Sequence, residues 1–257
     1  MVKHILEPIG KTFDEVVEAV AKHTVKPVNV FSGTRELQQP IFNVRGVKLD
    51  SKQKMDGLKL LEKLETDSIP LVFFDPQYRT ILDKQNYGNE GKGRQIARSE
   101  LPQMDDKMIR SFLKEIERVL IPSGHLMLWV DKFIVCSGIH SLMQERGLQL
   151  VDMITWDKMK MGMGYRSRRH SEYLVIFQKL PVRAKGVWRV HDIPDVWLEK
   201  IEDRNHTHAK PIKLQERLIK AVTNKGDIVV DPSAGGYSVM KSALNMERHF
   251  VGCDILE

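Results

Sequence analysis

Two short apolar runs in this chain each end in an Asp-Pro turn, and this arrangement constrains the fold more than any other feature. Leu71–Phe74 leads into Asp75-Pro76. Ile228–Val230 leads into Asp231-Pro232 near the C-terminus. Runs of this length bounded by turn residues are typical of buried strands, and ligands of parallel sheets bind at the carboxyl ends of the strands. The sequence therefore predicts one sheet edge at which both turns lie.

Hydrophobic periodicity predicts an α/β fold in which a mostly parallel sheet is covered by helices on both faces. Segments with helical spacing of apolar residues alternate with short apolar segments, and no internal repeat is present. Pro122-Ser123-Gly124 is predicted to turn the chain from a helix into the next strand. The predicted helices are 13–23, 55–64, 105–120, 134–146, 211–222 and 237–246. The predicted strands are 38–47, 70–74, 125–130, 148–156, 172–178, 227–230 and 250–253.

Composition and charge narrow the class of protein. The chain has 257 residues, of which 42% are hydrophobic, so one large domain with a sizeable core is expected. No apolar run approaches the roughly 18 residues of a membrane helix, and the N-terminus does not read as a signal peptide. Cys136 and Cys253 lie in apolar segments, so we expect core thiols, no disulfide and a reducing cytoplasm. The net charge of +6 favours a polyanionic partner.

The first Asp-Pro turn has the chemistry to hold a flat ring that carries an amine. In Asp75-Pro76-Gln77-Tyr78 the acid can accept a hydrogen bond from the amine, and the Tyr78 ring can stack on the ligand. Basic residues follow in a long polar stretch at 79–104, and a second basic group lies at 158–169. Such runs are usually solvated faces, but their position beside the turn predicts contacts with a polyanion.

The second Asp-Pro turn is typical of a cofactor site. Between Asp231 and the next helix, Gly235 and Gly236 allow a ligand to approach the backbone, and the helix start offers free N–H groups. Asp254 ends the following strand, about 20 residues beyond the turn, at the spacing of an acid that binds ribose hydroxyls. An adenosine-type ligand is predicted. The turn lacks the G-x-G-x-x-G pattern, so a tight turn with a strand-end acid is the alternative.

Taken in order, these motifs resemble an amino-group DNA methyltransferase of the permuted beta arrangement, in which a D-P-P-Y strand precedes the D-P-F-x-G-S-G turn of the S-adenosylmethionine strand. The resemblance covers about residues 54–257. Gln77 replaces the family's second proline, Ser233 replaces the usual Phe, and Gly236-Tyr237-Ser238 replaces the usual G-S-G. Other matching segments are 55–58 (G-D-x-L), 164–175 (the Arg/Glu strand) and 206–211 (H-P-T-x-K-P).

The resemblance implies a single S-adenosylmethionine-dependent methyltransferase domain of Rossmann-like fold over 1–257, with an N-terminal extension at 1–50 and a short target-recognition insertion at about 181–205. It implies methyl transfer to the N6 amine of an adenine flipped out of double-stranded DNA. The implied catalytic residues are Asp75, Pro76 and Tyr78. The implied cofactor residues are Asp56, His206, Lys210, Asp231, Ser233, Gly235, Gly236 and Asp254. The expected DNA contacts are Arg79, Lys92, Arg94, Arg166, Arg168 and Arg169.

Alternatives stay open at this point. One is the N4 amine of cytosine, and another is RNA or a protein glutamine, although enzymes of that kind usually place the cofactor strand first. A third is a catalytically silent DNA-binding subunit, which the departures at Gln77 and Ser233 keep open. His206 and His208 have no further ligands nearby, so no metal is expected. By analogy we expect a homodimer, a cognate restriction endonuclease in a restriction-modification system, and a cytoplasmic location at bacterial or phage DNA.

Overall fold

The computed structural model of this chain describes residues 46–77, 104–139, 147–162, 166–201 and 209–256. Seven strands in these ranges form one sheet. The strands are β1 (Ile69–Phe74), β2 (Leu120–Val130), β3 (Leu148–Asp157), β4 (Ser171–Lys179), β5 (Val196–Leu198), β6 (Ile228–Asp231) and β7 (His249–Gly252). The helices are α1 (Gly57–Lys63), α2 (Asp106–Val119), α3 (Lys132–Gly138), α4 (Ile212–Val222) and α5 (Ser238–Asn245).

The sheet is mostly parallel, as predicted. Its strand order is β5-β3-β4-β2-β1-β6-β7. The pairs β1–β2, β1–β6, β6–β7 and β3–β5 are parallel. Among the described strands only β4 runs in the opposite direction, between β2 and β3. Because β1 and β6 are neighbours, the two Asp-Pro turns that follow them lie side by side at one edge.

Helices cover both faces of the sheet, which confirms that part of the prediction. Asp105 caps α2 by accepting a hydrogen bond from the Met108 N–H at 2.7 Å, and the apolar stripe of α2 packs with α1 against Phe74. On the opposite face, α4 and α5 pack around Trp129 and Trp156. In the ranges given above, no helix combines the length and apolar character needed to cross a bilayer.

The outer edge of β7 is covered by the segment that precedes α1. The Asp50 N–H donates to the Phe250 carbonyl at 2.9 Å, and the Asp50 carboxylate accepts from the Phe250 N–H at 2.7 Å. Further along, the Met55 N–H donates to the Asp254 carbonyl at 3.1 Å, and the Asp254 N–H donates to the Gln53 carbonyl at 3.2 Å. These bonds satisfy backbone groups that an edge strand otherwise exposes.

The predicted turn at 122–124 lies inside a strand. β2 begins at Leu120 and continues through the turn residues. Its register with β1 shifts there, because Ile69 lies opposite Leu120 while Leu71 lies opposite His125. The turn residues therefore form a bulge that the neighbouring strand tolerates, and the side-chain amide of Gln178 donates to the Ser123 carbonyl within it at 3.0 Å.

Two further expectations need correction. Cys136 was expected in the core, but it is exposed, because Ile134 and Val135 turn toward the core and the next position of α3 faces outward. Cys253 is buried, as expected. The three-residue strand β5 was not predicted within 181–205. The predicted helix at 13–23, residues 38–45 of the first predicted strand, the polar stretch up to 103 and positions 140–146 lie outside the described residues.

Candidate active site

The two Asp-Pro turns meet through a serine. The Asp75 N–H, just past β1, donates to the Ser233 hydroxyl at 3.3 Å, and that hydroxyl lies 3.4 Å from the Asp75 carbonyl, to which it can donate. The Ser233 N–H in turn donates to the Asp231 carboxylate at 3.0 Å. The predicted shared edge is therefore present, and Ser233 links its two halves.

A buried lysine neutralises the acid of the first turn. The Lys210 Nζ lies 2.9 Å from the Asp75 Oδ2 and 2.9 Å from the Glu172 Oε2. It also lies 4.8 Å from the centre of the Trp129 ring, which adds a cation–π contact. The Asp75 side chain is 33% exposed and that of Lys210 only 12%. The Asp75 carboxylate is thus paired with Lys210 on its protein-facing side and open toward solvent on the other.

Glu172 completes a chain of alternating charges. It pairs with Lys210 on one side and with Lys158 on the other. Burial alone would raise the pKa of Glu172, but the two ammonium groups outweigh it and lower the pKa to about 2. Burial would likewise lower the pKa of Lys210, but Asp75 and Glu172 raise it above its ordinary value. Glu172 and Lys210 are therefore both charged at neutral pH.

The second turn presents open backbone beside two acids. The Gly235 N–H donates to the Asp254 carboxylate at 3.1 Å. Gly235 has a φ of +47° and nothing within 4 Å of the place where a Cβ would stand, so a ligand can approach its backbone. Helix α5 begins at Ser238 just beyond. The predicted Gly235, Gly236, Asp231 and Asp254 therefore lie together.

Asp231 sits in an unfavourable place for a negative charge. Burial is the main cause, and the carboxylates of Asp75 and Asp254 add to it; the Ser233 N–H and the more distant Lys210 oppose them only in part, so the pKa rises to about 7. A positively charged ligand at this turn would stabilise the ionised form of Asp231. S-adenosylmethionine, with its sulfonium and ammonium groups, fits this donor set and this open glycine backbone.

A tyrosine follows the two glycines of the second turn. Tyr237 is in the left-handed region, with a φ of +56°, and is buried. Its hydroxyl accepts from the Gln53 N–H at 3.2 Å and donates to the Gln53 carbonyl at 3.1 Å. Gly57 approaches the same turn so closely that a Cβ there would lie 2.1 Å from the Pro232 carbonyl oxygen. The segment before α1 and the turn therefore hold each other in place.

The basic residues predicted after β3 lie at the same edge of the sheet. Arg166 and Arg168 are exposed, and Arg169 is half-buried. They belong to the connection from the end of β3 to the start of β4. Because β4 is antiparallel to β2 and β3, this connection lies at the carboxyl edge. The Lys132 ammonium donates to the Ser167 hydroxyl at 3.1 Å and ties this connection to α3.

Other predicted site residues have different outcomes. Asp56 is the N-cap of α1, accepting from the Lys59 N–H at 3.1 Å. The Gln77 carbonyl accepts from the Met104 N–H at 2.9 Å, so Gln77 and the residue before the cap of α2 lie side by side. The sequence did not single out Trp129 and Gln53. It placed Glu172 in the Arg/Glu strand of the resemblance but did not predict its ion pairs with Lys210 and Lys158. Tyr78, Arg79, Lys92, Arg94 and His206 lie outside the described residues.

Comparison with known sequences identifies a group of related proteins. A family model described as a DNA methylase matches residues 69–257. The type II methyltransferase M.HhaII of Haemophilus parahaemolyticus is 51% identical over 209 residues, which is 81% of this chain and 92% of that protein. The type II methyltransferase M2.DpnII of Streptococcus pneumoniae is 23% identical and is matched over 82% of its length.

Solved structures share the fold at low sequence identity. The cytosine-N4-specific PvuII DNA methyltransferase has a TM-score of 0.62 at 18% identity, covering 80% of this chain and 81% of that one. The complex of M1.HpyAVI with S-adenosylmethionine has a TM-score of 0.56 at 19% identity, covering 79% of this chain and 92% of that one. These likenesses confirm the predicted Rossmann-like methyltransferase fold.

Proposed function

The chain belongs to the amino-group DNA methyltransferases, and on that premise we propose that it methylates the N6 amine of adenine at specific sites in DNA. The observation that supports this most strongly is the position of Asp75-Pro76 beside the glycine turn, linked to it through Ser233. An acid and a proline carbonyl at this edge can receive an amine. The D-P-x-Y form of the motif favours adenine N6 over cytosine N4.

Asp75 and Pro76 make the amine reactive. An exocyclic amine is a poor nucleophile, because its lone pair is delocalised into the ring. The Asp75 carboxylate and the Pro76 carbonyl can each accept one N–H, which localises the lone pair on nitrogen. Asp75 is then in position to take the proton that nitrogen loses when the new N–C bond has formed. Stacking of Tyr78 on the base is part of the proposal.

The family depends on S-adenosylmethionine, and this chain has a turn that suits it. When bound, the cofactor would supply an electrophilic methyl group on a positively charged sulfur, and the sulfur would keep the electron pair of the C–S bond. Asp231, Ser233, Gly235 and Gly236 are proposed to hold it, with Asp254 on the ribose hydroxyls. The Asp231 carboxylate would balance the positive charge.

DNA must be distorted before the amine can react. Flipping a base out of the duplex costs a few kcal/mol, which contacts to phosphates can offset. We assign these contacts to the exposed Arg166 and Arg168 with Arg169 beside them, and to Arg79, Lys92 and Arg94. Residues 181–205 are proposed to read the sequence of the site.

The decisive experiment supplies S-adenosylmethionine with a labelled methyl group and unmethylated genomic DNA to the purified protein. Digestion to nucleosides and mass spectrometry then locate the label. Label on N6-methyladenine supports the proposal. Label on N4-methylcytosine keeps the mechanism at Asp75 but overturns the choice of base. Cofactor binding without label on DNA favours RNA or protein as the substrate, and no cofactor binding favours a silent subunit.

The partners and location follow from the same proposal. Relatives named type II methyltransferases support a role beside a cognate restriction endonuclease. Because genomic DNA is the proposed substrate, we propose a location in the cytoplasm, at the nucleoid. A homodimer remains a proposal by analogy, with residues 1–50 as an N-terminal extension of one catalytic domain. Sedimentation of the full chain at several concentrations tests the dimer.

A further inference from the structure

We propose that Lys210 is a positioning residue for the Asp75 carboxylate and not a contact to the cofactor. This inference rests on the proposed function and deepens it, because it states how the acid that receives the amine is held. The resemblance alone assigned Lys210 to the cofactor. Its described contacts lie instead with Asp75, Glu172 and Trp129.

The ion pair fixes which oxygen of Asp75 meets the substrate. The Lys210 Nζ lies 2.9 Å from Oδ2. In the ranges that the structure describes, no donor contacts Oδ1. A carboxylate held at one oxygen by a buried ammonium keeps its second oxygen in one direction, so the acceptor is aimed before the base arrives. Without the ammonium, the side chain of Asp75 is free to rotate, because it is one-third exposed.

Glu172 fixes Lys210 in turn. It stands at the start of β4, where Ser171 pairs with Asp157 at the end of β3, so it is anchored on the sheet and not on a loop. Its second oxygen pairs with Lys158. Without Glu172, the ammonium groups of Lys210 and Lys158 would face the single carboxylate of Asp75, and the net positive charge would oppose the sulfonium of a nearby methyl donor. Glu172 removes that opposition, because the cluster carries equal positive and negative charge.

The face of the Trp129 ring limits how far the Lys210 ammonium can move toward the sheet. The ring belongs to β2 and is 2% exposed, and Lys210 Nζ lies 4.8 Å from its centre. Trp156 packs edge-on against it at 5.8 Å, which keeps the ring from tilting. The three contacts of Lys210 therefore come from the residue after β1 and from strands β2 and β4. Contacts on three sides fix the ammonium, unlike that of a solvated lysine.

The test compares Lys210→Met with Lys210→Arg in single-turnover methylation of duplex DNA, with protein and S-adenosylmethionine both saturating. Misplacing a reacting group by about 1 Å costs on the order of 100-fold in rate, so we expect that loss for Lys210→Met. Lys210→Arg can reach both carboxylates and should stay within about tenfold of the wild type. Lys213→Met, an exposed lysine three residues along, should leave the rate unchanged.

Affinities measured beside the rates distinguish positioning from cofactor binding. We expect the dissociation constants for S-adenosylmethionine and for DNA to change less than threefold in Lys210→Met, and a crystal structure of that variant to show the Asp75 carboxylate turned. A large loss of cofactor affinity with a normal rate at saturation overturns the inference, as does a normal rate with Asp75 in place.

Glu172→Gln covers the case in which Lys210→Met fails to fold. It keeps the size of the side chain and weakens the ion pairs with Lys210 and Lys158, so an intermediate loss of about tenfold in the single-turnover rate is expected. An unchanged rate overturns the inference. Failure of the proposed function is recognised separately, because the wild-type protein itself would then place no methyl group on adenine.

Discussion

The two strand ends at the active edge carry the same dipeptide and opposite electrostatic surroundings. Asp75 is partly exposed and faces the ammonium of Lys210. Asp231 is buried, and the neighbouring carboxylates of Asp75 and Asp254 disfavour its charge. The turn therefore determines where an acid stands, and the neighbours determine what it can do. Asp75 is paired with a lysine of the protein itself, whereas in the proposed function Asp231 is paired with a positively charged ligand.

The sharpest way to break this comparison is to remove the two acids in turn. Asp75→Ala should lower the single-turnover methylation rate about 1000-fold, because loss of a positioned hydrogen-bond partner of the reacting group costs 100- to 1000-fold. Affinity for S-adenosylmethionine should change little. Asp231→Ala should do the reverse. Equal losses of rate and affinity in both variants would contradict the division of roles between the two ends.

The pH dependence of cofactor affinity tests Asp231 directly. Its pKa of about 7 belongs to the free protein, and a positively charged ligand favours the ionised form. Below pH 7 the ligand must displace a proton, so affinity should rise about tenfold between pH 6 and pH 8. Calorimetry in two buffers of different ionisation enthalpy should also detect proton release. Asp231→Asn serves as the control and should bind with no such pH dependence.

A smaller effect is expected from the link behind the cofactor turn. Tyr237→Phe removes the hydroxyl that both accepts from and donates to the backbone of Gln53. Two lost hydrogen bonds correspond to about 1–3 kcal/mol in the free energy of unfolding, measured by urea denaturation. Tyr173→Phe is the matched control, because among the described residues the Tyr173 hydroxyl makes one long contact, at 3.5 Å with the Ser171 hydroxyl. Equal stability of the two variants would contradict a structural role for this hydroxyl.

Local sequence was sufficient for the fold and for the position of both turns. The strand before Asp75 and the strand before Asp231 are short, apolar and bounded by turn residues, and such runs leave little choice but a buried parallel sheet. The cap at Asp105 was likewise readable, because its carboxylate bonds to an N–H three residues away. These features depend on neighbours in the chain.

Features that depend on distant residues were not readable. Lys210 meets Glu172 across 38 positions of the chain, and no local pattern distinguishes a lysine that supports an acid from one in solvent. Pro122-Ser123-Gly124 was predicted to be a turn, because its local sequence does not show the contact from the distant Gln178 that accompanies continuation of the strand. The three residues of β5 are too few to show a period.

The covered edge at β7 gives the sheet a single direction in which it could grow. Residues before α1 occupy the hydrogen-bonding positions beside Phe250, whereas in the described part of the chain β5 has a neighbour on one side only. A strand from another molecule could add only there, along three residues. Such a short open edge gives a template too small for edge-to-edge aggregation.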